Sequence, residues 1–142
     1  MFDLSAFLPY LVNRAGARMA QEFTRALKPF GVSLQEWRVL AALIAHGEQR
    51  MSQLAALTSI ERTTLSRIIG RMVSSGLVRQ VENRDDFREV IVVLSARGRR
   101  KTQSILPLAH EYERKVLGNV PPEQEKALKQ LLVRVYQNLN SA

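Results

Sequence analysis

From Arg62 to Val81 the chain carries no carboxylate, and its first half reads Arg62-Thr63-Thr64-Leu65-Ser66-Arg67-Ile68-Ile69-Gly70-Arg71. Guanidinium groups and hydroxyls interleaved in this way suit recognition of a polyanion. Arg bonds the guanine edge in a bidentate manner, and Thr or Ser contacts either base type or the thymine methyl group. A second set follows at Arg84, Asp86 and Arg88, where acids stand close enough to orient a guanidinium. An Arg carried on a narrow hairpin suits the minor groove. Catalysis has no comparable pattern. His46 and His110 sit in no metal-binding spacing, no nucleophile or phosphate-loop motif occurs, and there is no cysteine. The expectation is a non-enzyme without metal or cofactor.

These groups need elements to hold them. Leu65, Ile68, Ile69, Met72 and Val73 recur at helical spacing and predict one buried stripe. Thr63, Arg67, Gly70 and Ser74 then point outward, with Arg62, Thr64, Ser66 and Arg71 on the flanks. An ordinary solvated helix face would mix Glu with Lys or Arg at i, i+4, and this face does not. Before it, Ser52 to Leu57 predicts a short helix capped by Ser52. After Gly76, Leu77–Val81 and Val90–Leu94 predict a hairpin whose polar tip runs from Glu82 to Arg88. Gln49 to Met51 can add a third strand. Two short helices, a tight turn and a hairpin make a winged helix-turn-helix. A charged tip that only keeps the sheet edge soluble is the plainer alternative.

The chain resembles the MarR family of bacterial transcription regulators. The resemblance rests on Ser33 to Leu40 (including Trp37), Leu54-Ala55, Thr63 to Arg67, Gly76 to Val78, and the wing Asn83 to Arg88 running into Val92 to Ser95. The wing Asp86-x-Arg88 is its most specific part, and Asn83 departs from a position where the family often has an acid. The resemblance implies a homodimeric, ligand-responsive repressor or activator. It also implies an effector pocket between the dimerisation helices and the winged lobe.

The flanks fit that frame. Leu4 to Lys28 predicts one long helix with a stripe through Leu8, Val12, Ala15, Met19, Phe23, Ala26 and Leu27. Beside the stripe stand Phe7, Leu11, Arg14 and Arg18, the two Arg being the only charged side chains from Leu4 to Gln21. Apolar walls with paired guanidinium groups fit an organic anion. With Trp37, whose place in the apolar pattern of the next helix reads first as core, they form the candidate effector site, for an aromatic acid or its coenzyme A thioester. Two Arg that merely snorkel into water are the alternative. Ser33 and Glu36 predict a capping box. Ser95 predicts the cap of a helix from Ala96 to Leu117, bent at Pro107, with Arg97, Arg99, Arg100 and Lys101 near its start, where phosphate or an acidic neighbour would compensate them. Pro121-Pro122-Glu123 opens a last helix with Leu128, Leu131, Leu132, Val135 and Leu139 in line. These terminal helices are too apolar to stand alone, so a homodimer is expected.

The fold class is therefore mostly α with a small β-wing, in a single domain over 1–142. Residues 33–95 form the winged helix-turn-helix lobe, and 1–32 with 96–142 form the dimerisation helices. The 142 residues suffice for one core. Net charge is +8, from 21 Lys and Arg against 13 Asp and Glu, and points to double-stranded DNA as partner. An anionic membrane surface would also attract such a charge, but no apolar run is long enough to span one. Met1 to Tyr10 lacks the basic start of a signal peptide, so a cytoplasmic place is expected. A winged helix acting only as a protein-interaction module is the rival function, and it would favour aromatic or aliphatic anchors on the outward face.

Overall fold

The computed structural model describes every residue except Phe87, Ser141 and Ala142. Phe87, part of the expected wing motif, lies outside the described residues. The chain forms two compact units, Met1–Leu108 and Ala109–Ala142.

In the first unit the expected helix over 4–28 is divided. A 3-10 turn spans Leu4–Ala6, Phe7 is extended, and α1 runs Leu8–Leu27. Pro9 is the cause. A helix continuous from Leu4 would place its ring against the Ser5 carbonyl, whereas in the first turn of a new helix it loses no bond. Only Phe23 and Leu27 of α1 are buried, while Leu8, Val12 and Met19 are exposed. Helix α2, Leu34–His46, begins at the capping box: Ser33 Oγ accepts from the Glu36 amide at 3.1 Å, and Glu36 Oε1 accepts from the Ser33 amide at 3.0 Å. Trp37 is half-buried and edge-on to Phe23, with ring centroids 5.8 Å apart.

The pair β1 (Gln49–Arg50) and α3 (Met51–Thr58) leads through Ser59, at φ 55°, into α4 (Arg62–Ser74). That left-handed residue makes the tight turn of the helix-turn-helix. Strands β2 (Val78–Glu82) and β3 (Val90–Leu94) complete an antiparallel sheet of order β1-β3-β2, with Gln49 and Gln80 both opposite Val92. β2 starts one residue later than expected. Gly76, at φ 79°, turns the chain, and the Leu77 amide still bonds the Met72 carbonyl at 2.9 Å, so Leu77 completes the end of α4 before the ladder begins. Leu40, Leu54, Leu65, Ile69, Met72 and Val92 are fully buried between α2, α3, α4 and the sheet. Each such side chain contributes about 1.5–3 kcal/mol on burial.

Helix α5, Ala96–Leu117, continues through Pro107. Ser95 caps it, accepting from the Gly98 amide at 2.9 Å while donating to the Gly76 carbonyl. One hydroxyl thereby joins the end of α4 to the start of α5. Lys101 donates to the Phe30 carbonyl at 2.9 Å, a backbone partner that the sequence did not suggest. In the second unit, α6 (Pro122–Asn140) starts with Glu123 and Glu125 in its first turn, where acids suit the helix dipole. Lys129 pairs with Glu113 at 3.1 Å and Glu125 at 3.6 Å. Leu128, Leu131, Leu132 and Leu139 are exposed.

Candidate nucleic-acid interface

Helix α4 divides cleanly by burial. Leu65, Ile68, Ile69 and Met72 face the core, and Thr63, Ser66, Arg67, Gly70, Arg71 and Ser74 are exposed, with Thr64 half-buried. Val73, expected in the buried stripe, is 41% exposed. At 100° per residue it lies about a quarter turn from the centre of the other four, and the core closes without it. No atom stands within 4 Å of a β-carbon built on Gly70, so the face is low in its middle. There an open groove of about 860 Å³ is lined by Thr64, Arg67, Arg71, Ser74 and Ser75, and by Gln35 from the first turn of α2. Gln35 was not expected at this face. Its neighbours are on another helix, so no local spacing places the start of α2 near α4.

The wing tip is built from short-range bonds. Asn83 Oδ1 accepts from the Asp85 amide at 3.0 Å, so the amide does the turn-making that an acid could do there. Asp86 Oδ1 accepts from the Arg88 amide at 3.0 Å and from Arg88 Nε at 3.3 Å. The Arg88 side chain is nonetheless 93% exposed. Asp86 therefore aims the guanidinium without removing it from solvent. Arg84 is also exposed.

At the base of the wing a residue that sequence reasoning passed over takes two partners. Glu89 Oε1 meets Arg62 Nη2 at 2.9 Å, and Glu89 Oε2 accepts from Ser52 Oγ at 2.9 Å. The expectation that Ser52 caps α3 is thus corrected: Arg50 is the cap residue, and Gln53 Oε1 accepts its amide at 2.9 Å. Arg62, expected at the outward face, is exposed but already paired. Its partner lies far along the chain, so no local spacing could have revealed the bond.

The α1 facet also differs from expectation. Arg18 pairs with Glu22 at 3.4 Å, one turn on, so an acid is in local reach after all. Arg14 donates to the Tyr10 hydroxyl at 3.3 Å and lies over the Tyr10 ring at 5.9 Å. Phe7 packs edge-on against Phe2, and both Phe7 and Leu11 are exposed. Trp37 lines a separate depression of about 360 Å³ with Arg38, Ala41, Ala45, Leu57 and Thr58, among others, and with none of Phe7, Leu11, Arg14 or Arg18. Among the described residues there is no cluster of three metal-ligating side chains, and no helix is long and apolar enough to cross a membrane.

A helix-turn-helix with a polar second helix, followed by a three-stranded wing, is the winged-helix class. A profile described as MarR family matches residues 30–89. A solved MarR family transcriptional regulator from Silicibacter pomeroyi DSS is 31% identical and superposes with a TM-score of 0.86, over 95% of this chain and 90% of that one. The chain belongs to the MarR family and is a transcription regulator of that family. The HTH-type transcriptional repressor IacR of Pseudomonas putida is 25% identical over 132 residues, 93% of this chain and 79% of its own. The fold is also that of Bordetella bronchiseptica BpsR, solved to explain regulation of its DNA binding by 6-hydroxynicotinic acid. There the identity is 23% and the TM-score 0.82, over 91% of this chain and 98% of that one.

Proposed function

We propose that the protein is a homodimeric repressor that binds a near-palindromic operator in double-stranded DNA and is released by a small aromatic acid. The observation that carries DNA binding is the exposed face of α4. It presents Thr63, Ser66, Arg67, Arg71 and Ser74, and Glu89, at the base of the wing, is held by Arg62 and Ser52. Thr63, Thr64, Ser66 and Arg67 read base edges in the major groove, and Arg71 holds phosphate. Arg88, oriented by Asp86, enters the minor groove, and Arg84 adds phosphate affinity. The exposed apolar faces of α1 and α6, within the segments 1–32 and 96–142, are covered by the second copy. Two recognition helices then read half-sites about 10 bp apart.

The effector reading has narrower support. BpsR responds to an aromatic acid, and here Arg14 stands beside Phe7 and Leu11 on an exposed facet. An aromatic acid, or its coenzyme A thioester, is the ligand class. Electrophoretic mobility shift with the chain's own upstream DNA, titrated with salt, tests the DNA reading. Retardation that weakens steeply as salt rises supports it, and no retardation at low salt overturns it.

A further inference from the structure

Arg62 is the first residue of α4, and the N-terminal residues of a recognition helix come closest to the bases. Yet its guanidinium lies 2.9 Å from Glu89, whose side chain is only 17% exposed and is held on its other oxygen by Ser52. The carboxylate cannot swing away without also losing its bond to Ser52 on α3. A DNA phosphate approaching Arg62 must therefore compete with an acid already in place, and that acid repels the phosphate. We propose that Glu89 is a specificity-determining positioning residue, which withholds Arg62 from the phosphate backbone while fixing the wing base to both helices of the helix-turn-helix. This rests on the DNA-binding reading above.

Two effects follow from one carboxylate. Non-specific binding depends on how many cations meet phosphates, and it loses one per protomer while Arg62 is engaged. Specific binding depends on the placing of Thr63 and Arg67, which follow the fixed Arg62 on the same helix. Glu89 thus lowers affinity for any duplex more than it lowers affinity for the right one, and so widens the gap between them.

The test measures wild type, Glu89→Gln and the double variant Arg62→Met/Glu89→Gln on two duplexes: one selected from a random pool by the wild type, and one scrambled. Glu89→Gln is expected to bind the scrambled duplex several-fold more tightly, with its log-log salt dependence steeper by up to about 0.9 per protomer. Its ratio of selected to scrambled affinity should fall. The double variant should return scrambled-duplex affinity and salt slope to near wild-type values. If the gain persists in the double variant, removal of negative charge explains it and the proposal is overturned. It is equally overturned if Glu89→Gln weakens both duplexes alike with an unchanged slope and a lowered melting temperature, which is a structural role only. Failure of the DNA reading itself looks different, because wild type would then show no salt-dependent binding to either duplex.

Discussion

Gly98 lies so close to Leu77 that a β-carbon on it would stand 1.9 Å from the Leu77 carbonyl oxygen and 2.9 Å from the carbonyl carbon. The contact is with backbone, which cannot step aside as a flexible side chain would. It seats the first turn of α5 on the start of the wing, next to the Ser95 hydroxyl that links α4 and α5. Gly98→Ala should destabilise the protein by on the order of 3 kcal/mol, the cost of forced overpacking. Urea denaturation at equilibrium measures it, and a cost below 1 kcal/mol would show that α5 can shift freely.

Arg67 is exposed in the middle of the α4 face. On the proposed function, Arg67→Ala costs roughly 1–3 kcal/mol of operator affinity and relaxes base preference at one position in each half-site. Arg71→Ala weakens all duplexes about equally and reduces the salt slope by about one. Binding to a panel of single-base operator variants separates the two outcomes.

Arg88 should act without reading bases in detail. Arg88→Ala lowers affinity broadly, with discrimination lost only between A·T and G·C pairs under the wing. Asp86→Ala should reproduce part of that loss, because Asp86 orients Arg88 through both its amide and Nε. Equal affinities for Asp86→Ala and wild type would show that the guanidinium finds its place unaided.

The exposed leucines of α6 give a direct test of assembly. Leu128→Glu with Leu132→Glu should convert the proposed dimer to monomer at micromolar concentration, since charge at the centre of an apolar contact is not readily accommodated. Sedimentation velocity reads this, and circular dichroism checks that helix content is kept. A wild-type monomer in the same experiment would remove the basis for a palindromic operator.

For the effector, Arg14 and Arg18 should now behave differently. Arg18 has Glu22 as a neighbour, whereas Arg14 is held by a phenol and a ring face. Arg14→Ala should lose response to an aromatic acid such as 6-hydroxynicotinic acid by tenfold or more, and Arg18→Ala by less. Thermal-shift titration compares them. Equal response in both variants and wild type would make the facet an interface feature only.

Much of this was legible in the residues themselves. The capping box at Ser33, strand β3, the cap at Ser95 and the split of α4 into core and exposed faces all arise from local spacing, which a sequence displays directly. Three things were not. The break at Phe7 depended on weighing Pro9 against a continuous apolar stripe, and the proline prevailed. Ser52 looked like a cap but lies inside α3, which begins at Met51, and its hydroxyl donates to Glu89 far along the chain. Gly98 carries no local sign of its close contact, because its neighbour, the Leu77 carbonyl, comes from 21 residues earlier. In each case the decisive partner was absent from the local pattern, or was present and given too little weight.

The strand order also sets a timetable for synthesis. β1 pairs with β3, Gln49 opposite Val92, and both helices of the helix-turn-helix are made between them. Until the ribosome has released the chain past Leu94, β1 has no partner, Ser52 and Arg62 lack Glu89, and the cap at Ser95 does not exist. Non-local pairing of this kind is slow to form. A nascent or truncated chain that ends before β3 would thus carry every residue of α4 proposed to read bases without the framework that holds them, so on that reading recognition of DNA arrives only with the wing.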